Sequence, residues 1–199
     1  MTQLPEVPSS RQEIRQLIRK RRRALSAEQQ TQFALQASAR MMAYPPVVMA
    51  NTVALFLSFD GELDTQPLID QLWRAGKKVY LPVLHPFSPG NLLFLHYHPH
   101  SEVVVNRLKI TEPKLDVRDV LPLSGLDVLI TPLVAFDESG QRLGMGGGFY
   151  DRMLQNWQQY GLHPVGYAHD CQGVDVLPVE KWDIPLPAVV TPSKVWEWR

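Results

Sequence analysis

Apolar residues recur along this chain first at helical and then at strand spacing. Ser10 and Glu13 stand in the S-x-x-E relation of a capping box, and Ile14, Leu17, Ile18 and Leu25 follow at helical steps. Ser26 and Gln29 form a second box, opening a helix that must finish before Pro45 and Pro46. Two helices with a break near Leu25 are therefore predicted, after a flexible start over residues 1–9. Residues 53–59 (VALFLSF) form a nearly unbroken apolar run, as in a strand covered on both faces. A polar loop over 60–65 leads to a helix over 66–75 with Gly76 as its stop, and then to a strand over 78–83. Strand, helix, strand in this order implies a parallel pair with a right-handed crossover. Residues 92–97 read as a short extended edge and 126–131 as a buried strand. A long loop then runs through the glycines to a helix over 150–160, with Met153, Leu154 and Trp157 inward and Gly161 as its stop. Residues 164–168 and 188–191 complete the strands. The expected fold is α/β: a single domain over 1–199, its mainly parallel sheet flanked by helices in a Rossmann-like three-layer arrangement. Such sheets bind ligands beyond the carboxyl ends of their strands.

Composition narrows the function classes. The chain has 199 residues, 45% hydrophobic and 20% charged, with zero formal net charge. That describes an ordinary globular protein and indicates no whole-molecule attraction to nucleic acid or anionic lipid. Cys171 is the only cysteine, so no internal disulfide forms, which suits a reducing compartment. No apolar stretch reaches the ~20 residues that span a bilayer, and no signal peptide is evident. The expectation is a soluble, cytoplasmic monomer.

Two segments carry candidate chemistry. Gly144, Gly146, Gly147 and Gly148 lie between a strand and a helix, where glycine lets backbone amides approach an anionic ligand. Arg142 can add a bidentate contact to phosphate, and Asp151 can hold a Mg²⁺ that bridges phosphate oxygens. The bland reading is a flexible turn with Asp151 in a first helical turn. The run is neither a Walker A loop nor a G-x-G-x-x-G fingerprint. Arg11, Arg15, Arg19 and Arg22 form a stripe on the first helix, broadened by Lys20, Arg21 and Arg23. The stripe fits a clamp converging on one polyphosphate, a solvated basic face, or an RNA-binding segment. His85, His96, His98 and His100 lack a cysteine or acid at ligand spacing and read as a polar loop rather than a metal cluster.

Residues 132–151, P-L-V-A-F-D-E-S-G-Q-R-L-G-M-G-G-G-F-Y-D, resemble the signature of the 5-formyltetrahydrofolate cyclo-ligase family. The likeness extends to the basic first helix with its R-x-L-S-x-E ending and to F-L-S…E-L-D-T at 56–65. It also takes in the strand at 78–82, I-x-E-P at 110–113 and L-P-x-E-x-x-D at 177–183. The resemblance implies ATP-dependent closure of 5-formyltetrahydrofolate to 5,10-methenyltetrahydrofolate, with Mg²⁺ as cofactor and folate and ATP as small-molecule partners. It implies ATP contacts at Arg11, Arg15, Arg142, Leu143, Gly144, Met145, Gly146, Gly147, Gly148, Phe149 and Tyr150. Folate contacts are implied at Leu57, Glu62 and Met145 to Phe149, with Pro82, Leu84 and Leu108 lining the pocket. Asp151 and Asp183 are the implied metal carboxylates, and Arg142, Tyr150 and Asp151 the catalytic set. Gly147 and Met145 stand where some members carry basic residues, leaving Arg152 or Lys194 to replace that charge.

Overall fold

The computed structural model describes residues 10–198, so the flexibility expected of 1–9 lies outside the described residues. Both capping boxes form. Ser10 Oγ accepts from the Glu13 amide at 3.1 Å and Glu13 Oε2 from the Ser10 amide at 3.0 Å, opening α1 (Arg11–Arg23). Ser26 and Gln29 repeat the arrangement at α2 (Ala27–Ala43). Pro45 then starts a further short helix, α3 (Pro45–Met49), because proline in the first turn forfeits no helical hydrogen bond.

The predicted crossover is present. β1 (Thr52–Ala54) leads through α4 (Gln66–Arg74), stopped by Gly76 at φ +74°, into β2 (Lys78–Leu84), which pairs parallel to β1. β3 (Leu92–Tyr97) returns antiparallel beside β2. β4 (Val103–Val105) and β5 (Thr111–Pro113) form a separate hairpin. β6 (Val120–Leu121) and β7 (Val128–Thr131) follow, then β8 (Ala135–Asp137) and β9 (Arg142–Leu143). The chain ends through α5 (Phe149–Leu154), β10 (His163–Tyr167), β11 (Gly173–Val174), β12 (Ala188–Val190) and β13 (Val195–Glu197).

The main sheet has the order β13-β12-β10-β7-β1-β2-β3-β6. Its five middle strands, β12 to β2, are parallel, with antiparallel strands outside them. Alternation within the apolar runs explains why they look unbroken. Val53, Val79, Leu81, Val128, Ile130, Val165 and Val190 face one core, shared with Ala37 and Met41 of α2 and Leu68, Ile69 and Leu72 of α4. Ala54, Tyr80, Leu129 and Val189 face the other core, which is closed by Leu154, Leu162, Leu186 and the partly buried Trp157, Trp196 and Trp198. Ile14 and Ile18 of α1 pack instead on Ala135 and Leu143, in the smaller sheet β11-β8-β9.

The strand expected over 53–59 is shorter than its apolar run. After Leu55 donates to the Tyr80 carbonyl at 3.0 Å the chain leaves the sheet, and Thr65 Oγ1 takes over the Phe56 carbonyl at 2.7 Å. Residues 92–97 are not an edge, because β6 pairs beyond them. The helix expected over 150–160 is broken: Asn156, at φ −130° and ψ 35°, separates α5 from a 3₁₀ turn at Trp157–Tyr160. The loop expected before the glycines contains the β8–β9 hairpin. Among the described residues, no helix is long and apolar enough to cross a membrane.

Candidate active site

Strand order sets the position of the site. From β1 the chain steps outward to β2, and later returns to the other side of β1 with β7, β10 and β12. Between β1 and β7 the winding direction reverses, and a crevice opens at the carboxyl ends of these strands. A cavity of about 530 Å³ lies there, reached by Phe56 and Leu57 after β1 and by Pro132 and Leu133 after β7. This volume is in the range of small-ligand and cofactor sites.

One end of the cavity is cationic. Arg11 and Arg15 project into it from the first turns of α1, Arg142 from β9, and the 144–150 loop forms the adjoining wall. Arg15 Nε donates to the Gly144 carbonyl at 2.9 Å, tying helix to loop. Burial and the neighbouring charge of Arg11 push the Arg15 pKa down, with Asp183 opposing them. Two like charges held this close are relieved by an anion. Gly146 and Gly148 sit at φ +110° and +68°, conformations that a side chain would resist. Arg152 Nη2 donates to the Gly147 carbonyl at 2.7 Å, whereas the Lys194 ammonium lies 3.4 Å from the Trp196 ring centre. Of the two candidates for the missing basic charge, Arg152 is the one at the loop.

The carboxylates are paired with the arginines. Arg11 forms a two-pronged contact with Asp183, at 2.5 and 3.1 Å, and Asp183 also accepts from the Glu180 amide at 2.8 Å. Burial works against ionisation of Asp183, but these bonds and the charges of Arg11 and Arg142 hold it below the usual carboxylate range. Arg142, buried, reaches Asp151 Oδ1 at 2.9 Å, and the Ile184 amide donates to the same oxygen at 3.1 Å. Asp151 Oδ2 has no protein hydrogen bond among the described residues. The Arg142 Nε is buried without a hydrogen-bond partner among the described residues. Arg142 also lies 6.0 Å from the Tyr150 ring centre, and burial pushes the Tyr150 hydroxyl well above its ordinary range.

Away from the arginines and the loop the lining is largely apolar, with Glu62 and Glu112 as its acids. Phe56, Leu57, Leu81, Pro82 and Leu133 line the same cavity as Glu62, whose Oε2 accepts from the Phe59 amide at 3.0 Å. Burial pushes the Glu62 carboxyl up to about 7, against the Phe59 hydrogen bond and the Arg22 charge, with Asp60 adding to the rise. A carboxyl in such a place accepts from paired N–H donors on the edge of a flat heterocycle once it is ionised.

Most sequence-predicted residues meet here: Arg11, Arg15, Leu57, Glu62, Pro82, Leu84, Leu108, Arg142, Gly144 to Phe149, Tyr150 and Asp151 all line the cavity. Leu143 does not; its side chain packs with Ile14 and Ile18. Asp183 touches the site through Arg11. The basic stripe divides: Arg11 and Arg15 reach the cavity, while Arg19, Arg22 and Arg23 turn to Asp60. It therefore does not converge on one polyphosphate. Sequence reading missed Trp182 and the wall formed by Asn106, Ile110 and Glu112, although the I-x-E-P piece marked its position. The His96, His98 and His100 rings lie tilted to one another, 5.5 and 6.4 Å between successive centres, near the β3 end remote from the cavity.

The sequence pattern of the 5-formyltetrahydrofolate cyclo-ligase family matches residues 7–192. The chain is 82% identical over 182 residues to the 5-formyltetrahydrofolate cyclo-ligase of Escherichia coli strain K12, covering 92% of this chain and 100% of that protein. To the Haemophilus influenzae enzyme of the same name it is 53% identical over 176 residues, covering 88% and 94%. The solved structure of 5,10-methenyltetrahydrofolate synthetase from Aquifex aeolicus has the same fold, with a TM-score of 0.80, 28% identity and coverage of 94% and 92%. On sequence and fold alike, this chain belongs to the 5-formyltetrahydrofolate cyclo-ligase family.

Proposed function

We propose that this chain closes 5-formyltetrahydrofolate to 5,10-methenyltetrahydrofolate at the expense of ATP, releasing ADP and phosphate. The observation that carries the reading is one cavity with two chemistries: arginines and loop amides at one end, and an apolar slot around Glu62 at the other. A triphosphate fits the first end and a pterin the second, and the transferred phosphoryl group lies where they meet.

The formyl oxygen attacks the γ-phosphorus, the bond to ADP breaks, and the activated formyl carbon is then open to N10. When N10 bonds to that carbon, its proton is released and phosphate departs with the formyl oxygen. Neither step needs a nucleophilic side chain. Phosphoryl transfer depends on alignment and on neutralising charge, and the residues present suit both. Arg11, Arg15 and Arg142 balance the phosphates, and the backbone around Gly146 and Gly148 approaches them closely. Tyr150, protonated throughout the physiological range, can donate a hydrogen bond but cannot serve as an anionic base. Glu62 orients the pterin through its amino edge.

Asp151 and Asp183 would hold Mg²⁺. The donor set fits a hard cation that takes one or two carboxylates and completes its shell with phosphate and water. When bound, Mg²⁺ would supply neutralisation of phosphate charge. The same carboxylates pair with Arg11 and Arg142, so the groups that would hold the metal already lie against the arginines that would meet the phosphates.

The protein mixed with 5-formyltetrahydrofolate, ATP and Mg²⁺ should develop the absorbance of the methenyl product. Folded protein that leaves the spectrum unchanged would sink the reading. Arg15→Ala removes a charged donor, worth ~1.5–3 kcal/mol for one charge-assisted hydrogen bond. The KM for ATP should rise roughly tenfold or more, with the folate KM little changed; equal rates at all ATP concentrations would exclude a nucleotide contact.

A further inference from the structure

The far end of α1 performs a task that the ATP contacts of its near end do not explain. Arg19 Nε lies 3.2 Å and Arg22 Nη2 3.7 Å from Asp60 Oδ2, and Arg23 donates twice to Oδ1, at 2.8 and 2.5 Å. Asp60 and Gly61 are the two central residues of a tight turn, at φ +52° and +75°, closed by the Glu62 amide donating to the Phe59 carbonyl at 3.1 Å. Both central residues at positive φ define a type I′ turn, in which asparagine is as much at home as aspartate. The turn geometry therefore does not account for the charge. Gln30 of α2 adds a further tie, donating to the Gly61 carbonyl at 3.2 Å, and Gly61 fits closely against Arg22, where a Cβ would meet the Arg22 Cβ at 3.3 Å.

We propose that Asp60 is a positioning residue for folate: held by three arginines of α1, it fixes the turn that presents Glu62 to the cavity. This rests on the cyclo-ligase reading of the site. The turn and the phosphate-facing Arg11 and Arg15 are thereby referenced to one rigid element. Arg11 and Arg23 are twelve residues apart, ~18 Å along a helix, so α1 reaches from the triphosphate end of the cavity to the pterin end. Two of the three pairs add little to fold stability, while Arg22, with a side chain 5% exposed, takes its counter-charge from Asp60. The Arg19 and Arg23 side chains are 47% and 62% exposed, and ion pairs so exposed contribute ~0–1 kcal/mol.

The charged and titratable groups facing Glu62 are Arg22 from α1, Asp60 from its own turn and the Tyr150 hydroxyl from the loop wall. Removing the Asp60 charge should let Glu62 ionise at lower pH, so a matching move in the pH profile of folate binding identifies Glu62 as the group through which the turn acts.

Asp60→Asn keeps the turn and deletes the charge. By calorimetry without ATP, its Kd for 5-formyltetrahydrofolate should rise about tenfold, and the pH dependence of binding should move to lower pH. The KM for ATP should stay within twofold. Arg23→Gln, an exposed change that removes the two shortest contacts, should weaken folate binding about threefold. The proposal is overturned if both variants bind folate as the native protein does, or if ATP and folate affinities fall in parallel. Turnover of the native protein is scored separately: binding without turnover contradicts the cyclo-ligase reading and leaves the Asp60 comparison to be judged on Kd alone.

Discussion

Glu62→Gln is expected to yield a protein that melts at a higher temperature than the native one at pH 8 and has lost most of its cyclo-ligase activity. Glu62 is buried, and its carboxyl is pushed up to about 7 from an ordinary value of 4.5. The unfolded chain therefore ionises it more readily than the folded one. Its contribution to stability is full below about pH 4.5 and is lost as pH rises towards 7, above which the penalty is constant. Glutamine retains an acceptor for the Phe59 amide but does not titrate, so the variant's advantage grows across that window and then levels off. A shift of this size corresponds to ~3 kcal/mol at most, several degrees in melting temperature for a chain of this length. Function should move the other way. An amide cannot accept both pterin N–H groups as a carboxylate does, and kcat/KM for 5-formyltetrahydrofolate should fall roughly 100-fold, the loss of one or two charge-assisted hydrogen bonds. Melts of both proteins at pH 5 and pH 8 check the first half. Identical melts at pH 8, or a variant with native kcat/KM, would contradict the assignment of Glu62 as a strained, substrate-facing acid.

The same residue illustrates what the sequence could reveal. Periodicity alone located α1, α2, α4 and the middle strands, because their signals are local: a serine three residues ahead of an acid or amide, or an apolar run bounded by turn residues. The family signature named Glu62, but nothing nearby indicates that it is buried. That follows from the cavity it lines, whose wall is assembled from distant parts of the chain, among them Leu81 of β2 and Leu133 after β7. The extent of β1 was overcalled for a related reason. An apolar run records burial, and Phe56, Leu57 and Phe59 are apolar where they line a cavity wall, not because they continue the ladder. The arginine stripe admits a clamp, a solvated face or an RNA-binding segment when read from sequence, and the fold divides it between the cavity and Asp60. The helical period does place those side chains in a row, but whether a row meets one partner or two depends on where the 58–62 turn lands. The β4–β5 hairpin was missed because its valines are exposed, so the segment carries no inward-facing period.

The second large effect is expected at the buried pair Arg142–Asp151, where two substitutions should separate stability from catalysis. Asp151→Asn preserves an oxygen for Arg142 Nη2 and for the Ile184 amide, and removes only the charge. The fold should lose ~1–3 kcal/mol, since Arg142 keeps a hydrogen bond but not its counter-ion. Arg142→Met leaves the Asp151 carboxylate desolvated with a single backbone donor, a situation that costs ~3–5 kcal/mol. The milder of the two for the fold should be the more informative for the chemistry. If Asp151 helps to hold Mg²⁺ against the phosphates, Asp151→Asn should lower kcat at least 100-fold and raise the Mg²⁺ concentration needed for half-maximal turnover, while the folate Kd stays near native. A residue that merely supports the loop would not alter the Mg²⁺ dependence, because loss of folded protein scales every rate equally. Native turnover at saturating Mg²⁺, with an unshifted Mg²⁺ curve, would remove Asp151 from the metal site and leave it as the buried counter-ion of Arg142.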